Sequence, residues 1–209
     1  VNCAGLYAYG DFHEIPLKKQ DLVIRVNVLA TMTLTRLFLP GMIARREGRI
    51  LNISSVAAFQ PTANEAAYGA TKAFIQSLSE AVRQEVRRYG VVVSTLNPPG
   101  TKTPMMEAAP EFPWYRVVPL ADPRNIARAG IEALKRGKSY YIPGFRNRFF
   151  HDLIPRISSR EANARLVYVM TRPWRRPEKT RPYGAYFIRS RRRFWRFEHE
   201  KEEAGQERA

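Results

Sequence analysis

One short run strongly limits what this chain can fold into: residues 91–96 read VVVSTL, mostly β-branched and with no alternating polar positions. Such a run is typical of a strand in a parallel sheet whose two faces are both covered by helices. Residues 49–54 (RILNIS) and 139–142 (SYYI) are predicted to be further strands, and residues 1–5 the end of a buried strand. The run therefore favours an α/β fold.

Helical patterns alternate with these strands. Residues 21–46 and 66–89 carry apolar side chains at steps of three and four, and Gly90 ends the second pattern. Asp122 and Pro123 suit the first positions of a helix that runs to about Arg136. The alternation predicts a doubly wound parallel sheet.

Ligands bind to doubly wound sheets beyond the carboxyl ends of the strands. Gly5, Ser55 and the loop of residues 98–103 each follow a predicted strand. We therefore expect a ligand site where these three segments meet.

The composition excludes some classes of protein. With 209 residues, 44% of them hydrophobic, the chain can form a full core, which excludes disorder throughout. The single cysteine, Cys3, allows no internal disulfide, which fits a reducing, cytoplasmic compartment. His13, His151 and His199 are scattered without partners at ligand spacing, so no metal site is predicted.

The net charge of +16 is spread along the chain, because residues 172–209 hold 12 Lys and Arg and 6 Asp and Glu. We predict a domain over residues 1–144, then a basic amphipathic helical extension over 145–209, interrupted by Pro155 and ending in a disordered tail. Its interleaved aromatic and basic residues suit an anionic membrane surface, with peripheral membrane association. A dimer arm or a solvated tail would have the same composition. Nucleic acid is not an expected partner, because no nucleic-acid-binding motif accompanies the charge.

Residues 52–72 hold a candidate catalytic group. Tyr68 and Lys72 are four residues apart on a predicted helix, so both side chains lie on one face. A tyrosine acid/base needs nearby positive charge, since free phenol titrates near pH 10. Ser55, thirteen residues upstream, could hold a substrate oxygen against the phenol. A lone Tyr-x-x-x-Lys is more often an aromatic and a solvated charge on a helix, so the rest of the chain must decide.

Five elements occur in order along the chain: Asn2-Cys3-Ala4-Gly5, Asn27, Ser55, the pair Tyr68 and Lys72, and the loop 98–103. Together they make residues 1 to about 144 resemble the short-chain dehydrogenase/reductase family. The resemblance implies a Rossmann fold, NAD or NADP as cofactor, and hydride transfer between an alcohol and a ketone or aldehyde as the reaction.

The resemblance also implies roles for four residues. Tyr68 would exchange a proton with the substrate oxygen, and Ser55 would hydrogen-bond that oxygen. Lys72 would lower the phenol's pKa and hold the nicotinamide ribose, while Asn27 would anchor a water that passes protons towards Lys72. A buried asparagine is otherwise more often a satisfied local hydrogen bonder.

By the same resemblance, three segments would contact the cofactor. Tyr68 and Lys72 would meet its nicotinamide end. The first loop would lie along the adenosine side through Asn2, Ala4 and Gly5, and the second would meet the carboxamide and phosphate side through Pro98, Gly100, Thr101 and Thr103.

The chain departs from the family pattern in three places. Cys3 replaces an asparagine, and Pro99 removes a backbone donor and fixes φ where glycine is usual. The glycine-rich turn that cradles the pyrophosphate is not in the sequence. We therefore expect an N-terminally truncated Rossmann fold, a fragment with no useful activity of its own, and no means of telling NAD from NADP.

Two functions remain open at this point. An oxidoreductase with a lipophilic substrate is favoured by the apolar loop 105–120, which could be a lid over a ligand or a cap on the core. The alternative is a non-catalytic protein of the same fold that uses its basic, aromatic C-terminal region on a membrane or a partner. In either case we expect a homo-oligomer formed through helices 21–46 and 66–89.

Overall fold

The computed structural model describes residues 1–107 and 119–171. Three parallel strands form a sheet in the order β1 (Gly48–Ile53), β2 (Val91–Leu96) and β3 (Tyr140–Tyr141). On the other edge of β1, Asn2 forms a single parallel bridge with Asn52. The predicted strands are confirmed. Residues 1–5 are predicted to be the end of a buried strand turning into a loop: Asn2 does pair with β1, through hydrogen bonds to Leu51 O and from Ile53 N, but the segment is not buried, since Val1 is exposed.

Helices flank the sheet as the alternation predicted. The first helical stretch begins at Leu17, four residues earlier than predicted, directly after Pro16, whose carbonyl accepts from Lys19 N and Gln20 N. That stretch is continuous from residue 17 to residue 44, because a π-helical turn joins its two α-helices. The helical elements are α1 (Leu17–Ile24), a π turn (Arg25–Leu29), α2 (Ala30–Ala44), a 3₁₀ helix (Val56–Phe59), α3 (Ala66–Val86), a second 3₁₀ helix (Arg87–Tyr89), α4 (Pro104–Glu107), α5 (Pro123–Lys135), α6 (Phe145–Arg148), a second π turn (Phe149–Leu153), α7 (Ile154–Ile157) and α8 (Arg160–Thr171).

Consecutive residues of β1 enter different core clusters. Ile50 belongs to a cluster with side chains of α2, α3 and β2, whereas Leu51 belongs to a second cluster with side chains of α5. This alternation is the strand period of two, with both faces covered. At Gly130 of α5, a Cβ would lie 2.6 Å from Leu96 Cδ2, so glycine lets α5 approach β2 closely. The chain therefore has the Rossmann-like, doubly wound architecture that its sequence predicts.

Residues 145–171 pack on the rest of the described chain. Tyr140 donates a hydrogen bond to Asp152 Oδ2 at 2.9 Å, and the Tyr9 hydroxyl donates to the Thr171 carbonyl at 3.2 Å. The predicted break at Pro155 is wrong: the helical run continues through it and stops at Ser158, whose backbone is extended. The Ser159 hydroxyl then accepts from Ala162 N at 3.1 Å and starts α8. The boundary at residue 144 stays a prediction, and the tail 172–209 lies outside the described residues.

The stretch Leu17–Ala44 is long and apolar enough to cross a membrane, with 28 residues and a mean hydropathy of 1.6 over its best window. Core helices of globular proteins and signal sequences meet the same criterion. Here the stretch contacts α3 and β1, and it buries Asn27, Thr31 and Thr35. Its other face exposes Leu37 and Phe38. The predicted homo-oligomer through helices 21–46 and 66–89 stays a prediction.

Candidate active site

Tyr68 and Lys72 lie one turn apart near the start of α3. The Lys72 Nζ is 5.6 Å from the centroid of the Tyr68 ring, and only 4% of the lysine is exposed. Its ammonium donates a hydrogen bond to the Ile53 carbonyl, at 3.0 Å, where β1 ends. A second bond, from Ser54 Oγ to the Lys72 carbonyl at 2.8 Å, ties α3 to the same strand end. The helix therefore presents both groups at the carboxyl edge of the sheet.

Ser55 reaches the phenol from the segment that follows β1. It precedes the first 3₁₀ helix, and its hydroxyl accepts a hydrogen bond from Ala57 N at 3.2 Å. The same hydroxyl interacts with the Tyr68 side chain and lowers the pKa of its phenol. Two elements that are distant in sequence thus bring a serine and a tyrosine hydroxyl together, with a lysine behind them.

Asn27 is fully buried in the π turn between α1 and α2. Its Oδ1 accepts from Leu6 N at 2.8 Å, and its Nδ2 donates to the Leu6 carbonyl and to Thr71 Oγ1, each at 3.0 Å. Thr71 in turn donates to the Tyr68 carbonyl at 2.7 Å. Asn27 therefore joins the first loop, the π turn and α3 through a satisfied amide, and a water-relay role for it stays a prediction.

Burial dominates the electrostatics of the pair. It raises the pKa of Tyr68 to about 12; the Ser55 hydrogen bond lowers this pKa and the charge of Glu65 raises it. Burial also lowers the pKa of Lys72 to about 8, against an opposing effect of Cys3. The direction for the phenol is opposite to the lowering expected from Lys72, because burial disfavours the charged phenolate. At neutral pH the structure thus holds a protonated phenol beside a protonated lysine.

Sequence reasoning missed Tyr7 and Glu65. The Tyr7 hydroxyl donates to Glu65 Oε1 at 2.7 Å, and its ring meets that of Tyr68 edge-on, with centroids 5.1 Å apart. Burial raises the pKa of Glu65, and its hydrogen bond from Tyr7 lowers it. Glu65 precedes Tyr68 by three residues at the start of α3, a spacing that could have signalled contact. The position of Tyr7 carries no comparable signal.

His151 and Gln60 also escaped prediction as site neighbours. Gln60 Nε2 lies 3.2 Å from His151 Nδ1, which joins the second π turn to the segment just after the first 3₁₀ helix. Burial lowers the pKa of His151 to about 4, so this ring is neutral at physiological pH. Residues 145–157 are therefore fixed beside the segment that carries Ser55.

The first predicted cofactor loop divides into two parts. The Asn2 side chain points to Asn52 Oδ1, at 2.8 Å, and to Thr35 Oγ1, at 3.4 Å, so it ties the loop to β1 and α2. Ala4 is exposed, whereas Gly5 lies beside the catalytic candidates. A Cβ at Gly5 would be 3.5 Å from Lys72 Nζ and 3.6 Å from Asn27 Oδ1.

The second predicted loop is held mainly by its own groups. The Pro98 carbonyl accepts from Val56 N at 3.2 Å, next to Ser55. Thr101 Oγ1 donates to the Pro99 carbonyl at 2.7 Å, and Thr103 Oγ1 donates to the Thr101 carbonyl at 3.2 Å. Gly100 accepts at 2.9 Å from the backbone N–H of Ala121. The structure thus brings Gly5, Asn27, Ser55, Tyr68 and Lys72 together with Pro98 close by, while the two threonine hydroxyls bond within the loop. Most of the predicted lid 105–120 lies outside the described residues.

Comparison with known proteins identifies the chain at this point. The family model for short chain dehydrogenases matches residues 1–113, more than half of the sequence. The chain belongs to the short-chain dehydrogenase family. An uncharacterized oxidoreductase of Staphylococcus epidermidis is 35% identical to this family member over 134 residues, covering 64% of this chain and 56% of the relative. The ketoacyl reductase HetN of Nostoc sp. is 33% identical over 135 residues, covering 65% of this chain and 47% of HetN.

A solved structure has the same fold as this short-chain dehydrogenase. It comes from a study of 7beta-hydroxysteroid dehydrogenase stereoselectivity, with a TM-score of 0.69 and 25% identity over 79% of this chain and 65% of that one. The chain spans about half the length of the curated relatives it matches. Family membership and fold are therefore established, whereas the roles of single residues stay predictions.

Proposed function

We propose that the protein containing this chain interconverts an alcohol and a ketone or aldehyde by hydride transfer with NAD or NADP, with Tyr68 as the acid/base. The observation that carries the proposal is the contact of the half-buried Ser55 and Tyr68 with the buried Lys72 at the carboxyl edge of the sheet, in a chain of this family. A serine hydroxyl can hold the substrate oxygen while the phenol exchanges a proton with it. The cofactor, when bound, accepts or supplies the hydride.

The residues present fit the reactive end of such a cofactor. The backbone of Cys3 and Ala4 is in an exposed loop beside Lys72, and Gly5 leaves space next to the ammonium because it has no side chain. Lys72 has hydrogen-bonding capacity left over, since it has three donors and Ile53 O takes one. These features support a ribose and nicotinamide between the first loop and Lys72.

The pKa values of Tyr68 and Lys72 support carbonyl reduction as the direction of the reaction. A phenol with a pKa of about 12 is protonated at neutral pH. It can therefore donate its proton to the oxygen of a carbonyl group whose carbon receives a hydride. In that step the carbon–hydrogen bond forms as the carbonyl π bond breaks, and the phenol proton goes to the oxygen. Lys72, with a pKa of about 8, remains charged at pH 7 and stabilises the phenolate that is left.

A lipophilic substrate is the class that the surroundings favour. The 3₁₀ helix after Ser55 carries Phe59, whose ring packs 5.8 Å from that of Tyr140. The names of HetN and of the hydroxysteroid dehydrogenase point to carbonyl or hydroxyl groups on largely apolar skeletons. We propose the same class here, with ketoacyl chains and oxosteroids as the first compounds to assay.

Substitution of Tyr68 tests the function. In the whole protein, Tyr68→Phe removes the acid/base but keeps the ring that packs on Tyr7, so we expect carbonyl reduction to fall by about three orders of magnitude. Dinucleotide binding, followed by fluorescence titration, should stay within about two-fold, since the phenyl ring is retained. Tyr168→Phe, at an exposed tyrosine of α8, is the matched control and should be fully active. Undiminished turnover by Tyr68→Phe would remove Tyr68 as the acid/base, whereas no turnover by the parent protein with any of these compounds would favour the non-catalytic alternative.

A further inference from the structure

We propose that the face of residues 145–157 docks on an anionic membrane surface. Four large apolar side chains, spaced four residues apart, are exposed along this helical run: Phe145 at 75%, Phe149 at 42%, Leu153 at 48% and Ile157 at 76%. In an α-helix, steps of four drift slowly round the axis. The π turn at Phe149–Leu153 is wider and offsets that drift, so the four stay near one face.

The helical run contacts the domain on its opposite side, which explains why this apolar face is exposed and not buried. The run is fixed to the domain by His151, which contacts Gln60, and by Asp152, which accepts from Tyr140 and from Arg156 Nε. Those contacts occupy the inner side, so the apolar face is turned away from them. A row of exposed large apolar residues of this kind marks an interaction site.

The charge around this face selects the kind of partner. Residues 145–171 contain five arginines and two acidic residues, and both acids already form ion pairs, Asp152 with Arg156 and Glu161 with Arg165. In the described part of the chain Arg146, Arg148 and Arg160 form no ion pair, and all three are exposed. Apolar side chains flanked by unpaired cations match a bilayer interface with anionic headgroups. A protein partner would instead have to offer acidic groups to these cations, and the experiment below separates that case from a membrane.

Docking would place the candidate active site close to the bilayer. The run contacts the segment that follows Ser55, through His151 and Gln60. Where the proposed function also holds, a lipophilic substrate could enter from the lipid side. The docking proposal itself rests only on the surface, so it is tested without any activity measurement.

The test is flotation of the full chain with vesicles of phosphatidylcholine alone or with about 30% phosphatidylserine. We expect binding to the anionic vesicles only. The double variant Phe145→Ser/Ile157→Ser should lower the partition coefficient about ten-fold or more, because two apolar side chains no longer insert. Arg146→Gln/Arg148→Gln should lower it by roughly ten- to thirty-fold, since each arginine near such a surface contributes about 1 kcal/mol.

Matched controls separate this face from general charge and apolarity. Phe12→Ser/Leu17→Ser removes a phenylalanine and an aliphatic residue that are 61% and 81% exposed elsewhere, and Arg36→Gln/Arg45→Gln removes the same charge from α2 and its end. Both controls should bind like the parent. Circular dichroism melting curves should show that all four variants are folded.

Three results would overturn the proposal. One is no flotation of the parent chain with anionic vesicles. Another is an equal loss in the control and test pairs, which would mean unspecific attraction by the net charge of +16. The third is a fall in hydrodynamic mass of Phe145→Ser/Ile157→Ser without lipid, which would make this face an interface between copies of the chain.

Discussion

Two regions of this chain invert the usual distribution of polar and apolar residues, in opposite ways. Around Tyr68 the interior holds an ammonium and an asparagine amide that are almost wholly buried. Along residues 145–157 the surface carries phenylalanine, leucine and isoleucine side chains that are 42–76% exposed. Buried polar groups and exposed apolar groups are the informative exceptions to the burial rule. The two exceptions lie on either side of the segment Ser55–Gln60.

The two regions differ in what holds them. Every polar group of the Asn27 side chain has a protein partner, so this buried amide is held entirely by contacts within the chain. The apolar row is exposed in the described structure, so its side chains are open to an outside partner. The difference separates a site built for internal chemistry from a surface built for contact.

Replacing Lys72 should have the largest effect on the region around Tyr68. Activity should fall, whereas the stability of the fold should rise. In the whole protein, Lys72→Met should lower carbonyl reduction about a thousand-fold, because the charge that stabilises the phenolate is lost. In the same variant the fold should become more stable at pH 7, by about 2 kcal/mol. A pKa lowered from 10.5 to about 8 corresponds to a burial cost of roughly 3 kcal/mol, of which the lost Ile53 hydrogen bond offsets about 1.

The pH dependence of stability gives the sign of this effect. Because the folded state has the lower lysine pKa, the unfolded state binds more protons between pH 8 and 10.5, and stability should rise with pH across that window. Urea unfolding at several pH values should show this rise in the parent and in Lys18→Met, an exposed control on α1, and a much smaller rise in Lys72→Met, where Lys19 keeps a pKa that burial lowers. A Lys72→Met protein that is less stable at pH 7 and keeps the rise would contradict the burial cost.

Asn27→Ala tests whether the polar interior is held together as the contacts indicate. The substitution leaves the N–H and carbonyl of Leu6 and the Thr71 hydroxyl without their amide partner. We expect the free energy of unfolding to fall by about 2–4 kcal/mol, measured by urea titration. Asn125→Ala, at an exposed asparagine of α5, is the control and should change it by less than about 0.5 kcal/mol. Equal stability of the two variants would mean that water replaces the amide.

The features that could be predicted are those whose pattern lies within one short stretch of sequence or follows from the order of the strands. The run VVVSTL predicted β2 residue for residue, because a continuous apolar strand needs no distant partner to be recognised. Tyr68 and Lys72 could be placed together from helix periodicity alone. Ser55 depended on the order of strands, which fixes where β1 ends.

The features that escaped prediction depend on contacts between distant parts of the chain. Tyr7 and Glu65 are 58 residues apart, and Gln60 and His151 are 91 apart, with no periodicity to connect either pair. The direction of the Tyr68 pKa shift was also missed. Sequence spacing showed the neighbouring lysine, but the amount of water that packing excludes depends on the whole fold.

The smallest effect should come from Glu65→Gln, which tests whether the charge of Glu65 acts on Tyr68. Glu65 raises the pKa of Tyr68 by its charge, whereas a glutamine still accepts the Tyr7 hydrogen bond and keeps the ring contact in place. The pKa of Tyr68 should therefore fall. Alcohol oxidation, which needs the phenolate, should show its alkaline rise at lower pH in the whole protein, with little change in the plateau rate. A pH–rate profile measures this.

Tyr7→Phe separates charge from position in the same measurement. It removes the hydrogen bond that lowers the pKa of Glu65 but leaves the carboxyl group and the ring contact in place. The carboxyl group is still ionised in the alkaline range where the phenol titrates, so the alkaline rise should stay close to that of the parent. Glu161→Gln, exposed on α8 and paired with Arg165, should leave the profile unchanged. An unchanged profile in Glu65→Gln, or a rise displaced to higher pH, would show that Glu65 acts on Tyr68 by packing and not by charge.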